Sequence, residues 1–592
     1  TNFLGSIARL RDGVELSTLD AEVRTLGERL VAEYPAANQD RVYRAISLRQ
    51  ALTSDVEPIT LSLLGIIAFV LLIVCANVAN LLLARGATRQ REVAIRRSLG
   101  ASNRRLAQLL LTEALLLASA GGLLGFGLGW LGLQRMVAAI ADRIPPWVQT
   151  EMDERVVLYT LAVSLAAGLL FSLLPLLQSF RFTLSSALRE GGQRQGSSRR
   201  GGRLRASLVV SEVALSLVLL VGAGLMIKSL IDLTSVDPGF ELSESLTVGL
   251  DLLSLREAEP EERAAQLTRY LERLASLPGV EAVGGINLFP LKGRSNSVSL
   301  VIEGQGDEEA RHNPRPQVGL ITPGYLQAMG IPLLAGNDFG SMQPREGRQE
   351  AIISRALAEA LWPGEEAMGQ RLRLVFGGPE WLEVVGITGD IHHHGLDRGR
   401  QSHLYLPYAQ YAPARMVLVV RHATDSAATA AAIRSAVAEI DPNQPLHELM
   451  STGEVVTASV WQWRFFTTIA WVFGAVALAL AVVGIYGVMT YSVSQRISEV
   501  GIRMALGAGR GQVIGMILRQ GGRLMLLGVV IGLPITLGLS RMLSGILFSI
   551  SAFEPLALGA AVLLLGLVAL PALLLPAQRA ARVDPASSLR AD

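Results

Sequence analysis

The sequence predicts a multi-pass membrane protein whose α-helical spans are joined to a large α+β domain outside the bilayer. Three observations predict this fold class. Half of the 592 residues are hydrophobic and only 18% are charged, seven long apolar runs alternate with polar sequence, and one segment recurs in both halves of the chain. A soluble protein of this length would be more polar, so the composition indicates membrane spans combined with a water-soluble region.

Each apolar run is long enough to cross a bilayer, because about 20 residues of helix span the hydrocarbon core. Between the fourth and fifth runs, residues 231–464 have the composition of a soluble domain and contain no such run. We call these residues the outer domain. The seven predicted spans are Leu61–Leu83, Leu109–Leu133, Val156–Leu177, Ala206–Met226, Thr467–Met489, Gly522–Leu543 and Leu556–Leu575.

The distribution of arginine predicts how the spans are oriented, since loops rich in Lys and Arg stay in the cytoplasm. The loops after the first, third and fifth spans are rich in arginine, whereas residues 134–155 are not net positive. The arginine-rich loops and the C-terminus are therefore predicted to face the cytoplasm. Residues 1–58 and 231–464 are predicted to lie on the opposite side.

An internal repeat relates the two halves of the chain. Glu92–Ala101 matches Glu499–Ala508 without a gap, and both segments contain Glu-Val-x-Ile-Arg and Leu-Gly-Ala. Each half ends in three spans, and the second half has a leading span and an outer domain before them. By the same layout, residues 1–55 are interpreted as the remnant of a first outer domain, with an eighth span upstream of Thr1.

The repeated segment has the character of a surface helix that docks on another protein. In each copy a Glu lies four residues before an Arg, the favourable order for a helical ion pair, and apolar side chains lie beside it. A following Leu-Gly can end the helix. The alternative is an amphipathic helix that binds lipid headgroups and only maintains topology. The residues assigned to coupling are Glu92, Ile95, Arg96, Leu99 and Gly100 in the first copy, and Glu499, Ile502, Arg503, Leu506 and Gly507 in the second.

The sequence contains no ATP-binding loop and no indication of a nucleic-acid partner. A phosphate-binding loop requires Gly-x-x-x-x-Gly-Lys followed by Ser or Thr. Lys228 is the only lysine that Ser or Thr follows, and Ile227 rather than glycine precedes it. The formal net charge is only +2. Energy for mechanical work would therefore come from another polypeptide.

One cluster in the outer domain has the residue types of a metal site: His392–His394, with Asp390 and His403 nearby. Histidines and carboxylates bind transition metals, but consecutive residues of a strand point to opposite faces and rarely converge on one ion. An exposed polar loop is therefore the favoured interpretation. No Ser-His-Asp or Cys-His arrangement is discernible, and Cys75 lies in an apolar run. We assign no catalytic residue, cofactor or metal, and predict that the chain is not an enzyme.

The predicted spans contain polar residues, which lipid penalises, among them two glutamates and two asparagines. Glu113 and Glu212 lie near the cytoplasmic ends, so structural ion pairs with loop arginines are favoured over an ion pathway. Asn77 and Asn80, near the inner end of the first span, are expected to join helices by hydrogen bonds rather than to line a pore.

The outer domain is predicted to alternate strands and helices. Its first strand–helix–strand group has a counterpart at its C-terminal end, and the middle, Thr322–Pro407, is rich in strands. The predicted elements are strands Ser245–Leu252, Ala282–Leu288 and Met416–Arg421, and helices Glu261–Leu277, Arg355–Leu361 and Ala427–Ile440. A further amphipathic helix is predicted at Ser17–Tyr34, and Ile227–Leu233 can extend the fourth span as a stalk.

The two repeated segments, together with Asn77–Arg85, resemble the FtsX-like permease domain. The outer domain resembles the periplasmic core of MacB-type transporters at Thr322–Ile331, Val385–Asp390 and Tyr405–Gln410. The fusion of two halves resembles the duplicated orphan permeases of Acidobacteria. The resemblance implies a remnant of the first periplasmic domain at 1–55, a first permease domain at 56–190, a linker and leading span at 191–230, a periplasmic core at 231–464 and a second permease domain at 465–592.

The resemblance further implies a multi-pass permease of the bacterial inner membrane, in the MacB/FtsX/Lol class of ABC-type export machines. A separate P-loop ATPase would bind the repeated segments and move the spans, which would shift the periplasmic domain during efflux or extrusion. The implied partners are membrane lipid, this ATPase, and a periplasmic adaptor or outer-membrane protein. The alternative is an orphan FtsX-like regulatory protein that acts on periplasmic partners without transport.

Overall fold

The computed structural model describes residues 7–34, 42–53, 57–98, 102–140, 152–180, 196–242, 245–293, 296–306, 309–340, 342, 349–375, 380–543, 548, 550 and 553–582. The chain divides into two compact units. The first comprises residues 1–57 and 230–465, and the second comprises residues 58–229 and 466–592.

The long helices occur at the predicted apolar runs, and shorter ones lie mainly in the outer domain. In chain order the helices are α1 (Leu16–Glu33), α2 (Leu48–Thr53), α3 (Glu57–Ser98), α4 (Asn103–Ile140), α5 (Glu154–Phe180), α6 (Gly196–Thr234), α7 (Pro260–Ala275), α8 (Tyr325–Met329), α9 (Arg355–Leu361), α10 (Tyr408–Tyr411), α11 (Ser426–Ile440), α12 (Thr452–Ser459), α13 (Trp461–Ser494), α14 (Ile497–Ala505), α15 (Arg510–Leu543) and α16 (Pro555–Ala580).

All the described strands belong to the outer domain. They are β1 (Ser245–Asp251), β2 (Val280–Ile286), β3 (Leu300–Ile302), β4 (Gln317–Ile321), β5 (Leu333–Gly336), β6 (Gln349–Ser354), β7 (Arg371–Leu374), β8 (Leu382–Thr388), β9 (His403–Pro407), β10 (Arg415–His422) and β11 (Leu446–Ser451). These elements confirm the predicted α+β character of the domain.

Six helices within the described residues are long and apolar enough to cross a membrane. Their apolar stretches are Leu63–Asn80, Ala107–Ala138, Arg205–Thr234, Trp461–Ser494, Arg510–Arg541 and Pro555–Ala580. The remaining predicted span, Val156–Leu177, lies within helix α5 and stays a prediction as a membrane span. The helical membrane fold is confirmed, and α6 continues through the predicted stalk to Thr234.

Helix α6 packs closely against α13 and α15 in the second unit. Ser216 Oγ on α6 donates a hydrogen bond to the carbonyl oxygen of Ala477 at 3.3 Å. On α15, a Cβ at Gly532 would lie 3.1 Å from the Cα of Ala214, so the absence of a side chain permits the two backbones to approach. Small residues serve this purpose at helix interfaces in membranes.

The outer domain is built on one mixed sheet with the strand order β11-β1-β10-β2-β4-β9-β6-β8-β7-β3, and β5 pairs with β8. The sheet carries two separate hydrophobic cores. One contains side chains of β1, β10, α7 and α11, among them Val248 and Ile433. The other contains side chains of β6, β8, β9 and α9, among them Ile353 and Leu404. The second core belongs to the segment inserted between β2 and β10, so the domain has two lobes.

The two lobes meet where β2 pairs with β4 at a single position, Ile286 with Ile321. Side chains extend this narrow junction. The Asn287 Oδ1 atom accepts a hydrogen bond from the Leu320 amide at 2.8 Å, and the Thr322 hydroxyl accepts one from the Gly285 amide, also at 2.8 Å. The sheet is therefore continuous here through polar side chains as well as backbone pairing.

Candidate functional site: the repeated segments

The second repeated segment forms a separate short helix, α14, between two long ones. Arg496 has φ −114° and ψ 14° and interrupts the helical path after α13. At the other end Gly507 adopts φ +97°, a left-handed conformation that favours glycine. The Ala508 amide donates a hydrogen bond to the Arg503 carbonyl oxygen at 2.9 Å and closes the last turn. The predicted helix end at Leu506-Gly507 is therefore present.

Glu499 and Arg503 form the ion pair that their spacing predicts. Their nearest oxygen and nitrogen are 2.6 Å apart, and the side chains are 46% and 50% exposed. A pair this exposed stabilises a helix by only about 0.3–0.5 kcal/mol. Arg503 Nη1 also lies 2.9 Å from the sulfur of Met516 on α15. The arginine thus connects α14 to the following helix, and the glutamate helps to hold it in that position.

The apolar side chains of α14 divide between an inner and an outer face. Val500, which follows Glu499 in sequence, is buried. Ile502 is 45% exposed and Leu506 is 84% exposed. Because residues four apart share a helix face, these two form a continuous apolar strip in solvent. Burial of Val500 fixes the helix, and the strip remains available for contact with another surface.

A basic groove of about 900 Å³ lies beside α14. It is open to solvent, and arginine, glutamine and leucine side chains line it. The lining residues are Arg496, Gly511, Gln512, Gly515, Met516, Arg519, Gln520, Arg523, Leu524 and Leu527. This groove was not predicted from the sequence, although the arginines of the loop and of the first half of α15 are its visible signal.

The first repeated segment differs from the second in its backbone. Helix α3 continues without a break from Glu57 to Ser98, so the expectation of a separate short helix is wrong for this copy. Arg96 is exposed. Glu92 and Ile95 lie in the helix, but the structure does not describe their side chains, and Leu99 and Gly100 lie outside the described residues. In the second copy the break falls at Gln495 and Arg496, which correspond to Thr88 and Arg89 of the continuous helix.

Two family models match the chain. The FtsX-like permease C-terminal domain matches twice, at residues 64–184 and 471–585, and the MacB-like periplasmic core domain matches residues 157–437. The chain belongs to the FtsX-like and MacB-like ABC transporter permeases. The two separate FtsX matches fit the duplicated layout that the repeat predicts.

Two curated relatives of this permease differ in the share of their own length that the match covers. It is 24% identical over 332 residues to the uncharacterized ABC transporter permease YknZ of Bacillus subtilis, covering 54% of this chain and 82% of that protein. It is 26% identical over 280 residues to the macrolide export ATP-binding/permease protein MacB of Bradyrhizobium diazoefficiens, covering 45% of this chain and 42% of that protein. The match therefore spans less than half of MacB.

A solved structure of the periplasmic region of MacB from Actinobacillus actinomycetemcomitans is similar to 38% of the permease chain and covers 97% of that region, at 12% identity and a TM-score of 0.26. A score of this size supports no inference about geometry.

The histidine cluster of the permease is packed inside the outer domain, so its interpretation as an exposed polar loop is wrong. His392, His393 and His403 are each less than a tenth exposed. The rings of His393 and His403 have centroids 5.2 Å apart, and His403 stacks on Tyr405 at 5.8 Å. Among the described residues, no three or more His, Cys, Asp or Glu side chains are grouped to hold a metal ion. The ring contacts of His403 with His393 and Tyr405 explain the burial of these histidines, and local sequence does not show such contacts.

His403 makes the outer domain sensitive to acid. Burial, together with the nearby His393, lowers the pKa of His403 to about 3, whereas an unfolded chain has a histidine pKa of about 6.5. Between these values the unfolded state binds a proton that the folded state does not. Stability therefore falls as the pH falls from about 6.5 towards 3, by at most about 1.4 kcal/mol per pH unit.

We expect His403→Asn to reduce this dependence, because the asparagine amide can replace the hydrogen bond between His403 Nδ1 and the Gln401 carbonyl oxygen, 2.9 Å apart, but does not titrate. The measurement is the urea midpoint for proteolysis of the outer domain in the full chain at about pH 7 and about pH 5. His312→Asn, a change at an exposed histidine, is the control. If the urea midpoint falls by the same amount between the two pH values in the wild type and in His403→Asn, then His403 is not the source of the acid sensitivity.

Proposed function

We propose that the chain is the permease subunit of an ABC-type exporter in the MacB/FtsX/Lol class and works by mechanotransmission. A separate ATPase binds the repeated segments on the cytoplasmic side and moves the membrane helices. The helices in turn displace the periplasmic domain, residues 231–464, and so drive efflux or extrusion of a substrate. One observation carries the proposal: α14 is fixed at Val500 and exposes an apolar strip of Ile502 and Leu506.

The physical features of α14 suit a coupling element. A docking surface needs an apolar centre that excludes water and a polar edge that sets the orientation. Ile502 and Leu506 supply the apolar centre, and the Glu499–Arg503 pair supplies an adjoining polar edge. The arginine also contacts Met516 on α15. A push on α14 is therefore delivered directly to a long helix of the second permease half.

The leading helix of the second half provides a route for movement along the chain. Helix α6 is continuous from Gly196 to Thr234 and contains no proline. Proline and its loss of a backbone hydrogen bond are the usual cause of a sharp kink. We infer that α6 acts as a stiff rod. A displacement of its N-terminal end would therefore move its C-terminal end, Thr234, where the chain enters the outer domain.

The first experiment is to purify the full-length protein from its native membrane in a mild detergent and to identify co-purifying proteins by mass spectrometry. A stoichiometric P-loop ATPase supports the proposal. Its repeated absence, while other membrane complexes are recovered intact, would favour the regulatory alternative. Accumulation of a small molecule or lipoprotein in cells that lack the permease would then indicate export, whereas a septation or lysis defect would indicate regulation.

A further inference from the structure

Two polar side chains from distant parts of the chain, Glu212 and Asn77, meet inside the second unit. Glu212 on α6 has no exposed surface, and Asn77 and Asn80 on α3 are each 4% exposed. The predicted ion pair between Glu212 and a loop arginine is wrong for the described residues, where no cation contacts the carboxyl group. Arg205, which is nearest in sequence on α6, instead lies over the ring of Tyr491 at 3.8 Å.

The orientation of the Asn77 amide is fixed by one hydrogen bond. Its Nδ2 donates to the carbonyl oxygen of Leu480 on α13 at 2.8 Å. The amide oxygen, Oδ1, therefore points away from that carbonyl. Within the described residues, neither Asn77 Oδ1 nor either oxygen of Glu212 has a hydrogen-bond partner. Buried polar atoms without partners are rare and require an explanation.

Gly484 on α13 shows that these oxygens share one small space. A Cβ built on Gly484 would collide with both Glu212 Oε2 and Asn77 Oδ1. The two oxygens thus lie together over a position that has no side chain. Both are acceptors if Glu212 is ionised, and two acceptors facing each other in a dry interior repel.

A proton on Glu212 resolves this arrangement. A carboxylic acid has an O–H donor, and Asn77 Oδ1 is the acceptor that lacks one. A bound hard cation would instead need about six oxygen ligands, and the site offers one side-chain amide and one carboxyl. An unpaired buried carboxylate is strongly disfavoured. We propose that Glu212 is a proton-binding site: it is held as a neutral acid that donates to Asn77 Oδ1 and joins α3, α6 and α13.

The internal repeat shows how this site came to be asymmetric. When the ungapped register of the repeated segments is extended upstream, Asn77 corresponds to Gly484 and Asn80 corresponds to Gly487. The first half supplies the amide of Asn77, and the second half supplies space at the equivalent Gly484. The proton on Glu212 therefore connects α6, which leads the second half, to α3 of the first half and, through the Asn77 amide, to α13 of the second half. This inference does not depend on whether an ATPase drives the permease.

Infrared spectroscopy of the full chain in detergent at neutral pH tests the site. We expect a carbonyl band of a protonated carboxylic acid in the wild type and its loss in Glu212→Gln, which keeps the shape and a hydrogen-bond donor. Glu113→Gln, a change at a half-buried glutamate on α4, should leave the band unchanged. Absence of the band from the wild type, or its persistence in Glu212→Gln, would overturn the proposal.

A second variant tests the hydrogen-bond partner independently. Asn77→Val removes the acceptor, so the carboxylic acid band should move to the higher frequency of an acid without a hydrogen bond. An unshifted band in Asn77→Val would show that Asn77 is not the acceptor. Because Glu212→Gln substitutes one neutral group for another, failure of that variant to fold would also count against a neutral acid at this position.

Discussion

Replacing Leu506 with aspartate is expected to weaken association between the permease and the proposed ATPase by roughly 30-fold. Leu506 is 84% exposed and is the more exposed residue of the strip, so the change places a charge within the proposed apolar contact. Central apolar residues of an interface commonly contribute about 2 kcal/mol or more, which corresponds to roughly 30-fold in Kd. The measurement is the affinity of the purified permease for the co-purified ATPase.

The same change should leave the fold intact, because Leu506 lies in solvent and not in a core. Thermal unfolding of Leu506→Asp should therefore match that of the wild type. Val375→Asp, at an exposed apolar residue of the outer domain, is a matched control and should bind the ATPase normally. Wild-type affinity in both Leu506→Asp and Ile502→Asp would remove α14 as the docking site.

Replacing Gly284 with alanine is expected to destabilise the outer domain strongly. Strand β2 passes under the start of α8, and a Cβ at Gly284 would overlap the Cα and the backbone nitrogen of Tyr325. Backbone atoms cannot rotate out of the way as a side chain can. We expect a loss of about 3 kcal/mol or more, at the upper end of the costs of overpacking.

The neighbouring glycine provides the control. A Cβ at Gly285 would lie 2.9 Å from Leu418 Cδ2 and 3.4 Å from Met416 Cε, which are the ends of flexible side chains. Gly285→Ala should therefore cost about 1 kcal/mol or less, as small changes in a core often do. The urea midpoint for proteolysis of the outer domain, measured in the full chain, compares the two. Similar losses in both variants would show that the backbone contact at Tyr325 is not the cause.

The membrane helices and the strands of the outer domain could be predicted because their signals are local. An apolar run such as Leu556–Leu575 gives a helix whatever surrounds it, and the four-residue spacing of Glu499 and Arg503 places them on one helix face. The difference between the two repeated segments was not predicted, since both share the same key residues. Helix α13 ends at Ser494, whereas the aligned stretch of α3 continues to Ser98, and local helix propensity does not account for the difference because the continuous copy contains Gly86.

The buried clusters could not be predicted because their partners are distant in sequence. His392 and His393 follow Gly389-Asp390, which locally indicates an exposed turn, yet both are buried. Glu212 meets Asn77, which is more than 100 residues away. A signal was nevertheless present, as three polar residues in otherwise apolar runs must each find a polar partner in the membrane.

The narrow junction between β2 and β4 has a mechanical consequence for the outer domain. Here the pairing of Ile286 with Ile321 is extended by backbone hydrogen bonds from the Asn287 amide to the Leu320 carbonyl oxygen and from the Thr322 amide to the Gly285 carbonyl oxygen, and by the side chains of Asn287 and Thr322. Among the described ladders of the sheet this one has the fewest paired residues, so the least backbone pairing resists a change of angle here. We therefore expect a pull on one lobe to change the angle at this ladder before it disturbs either core.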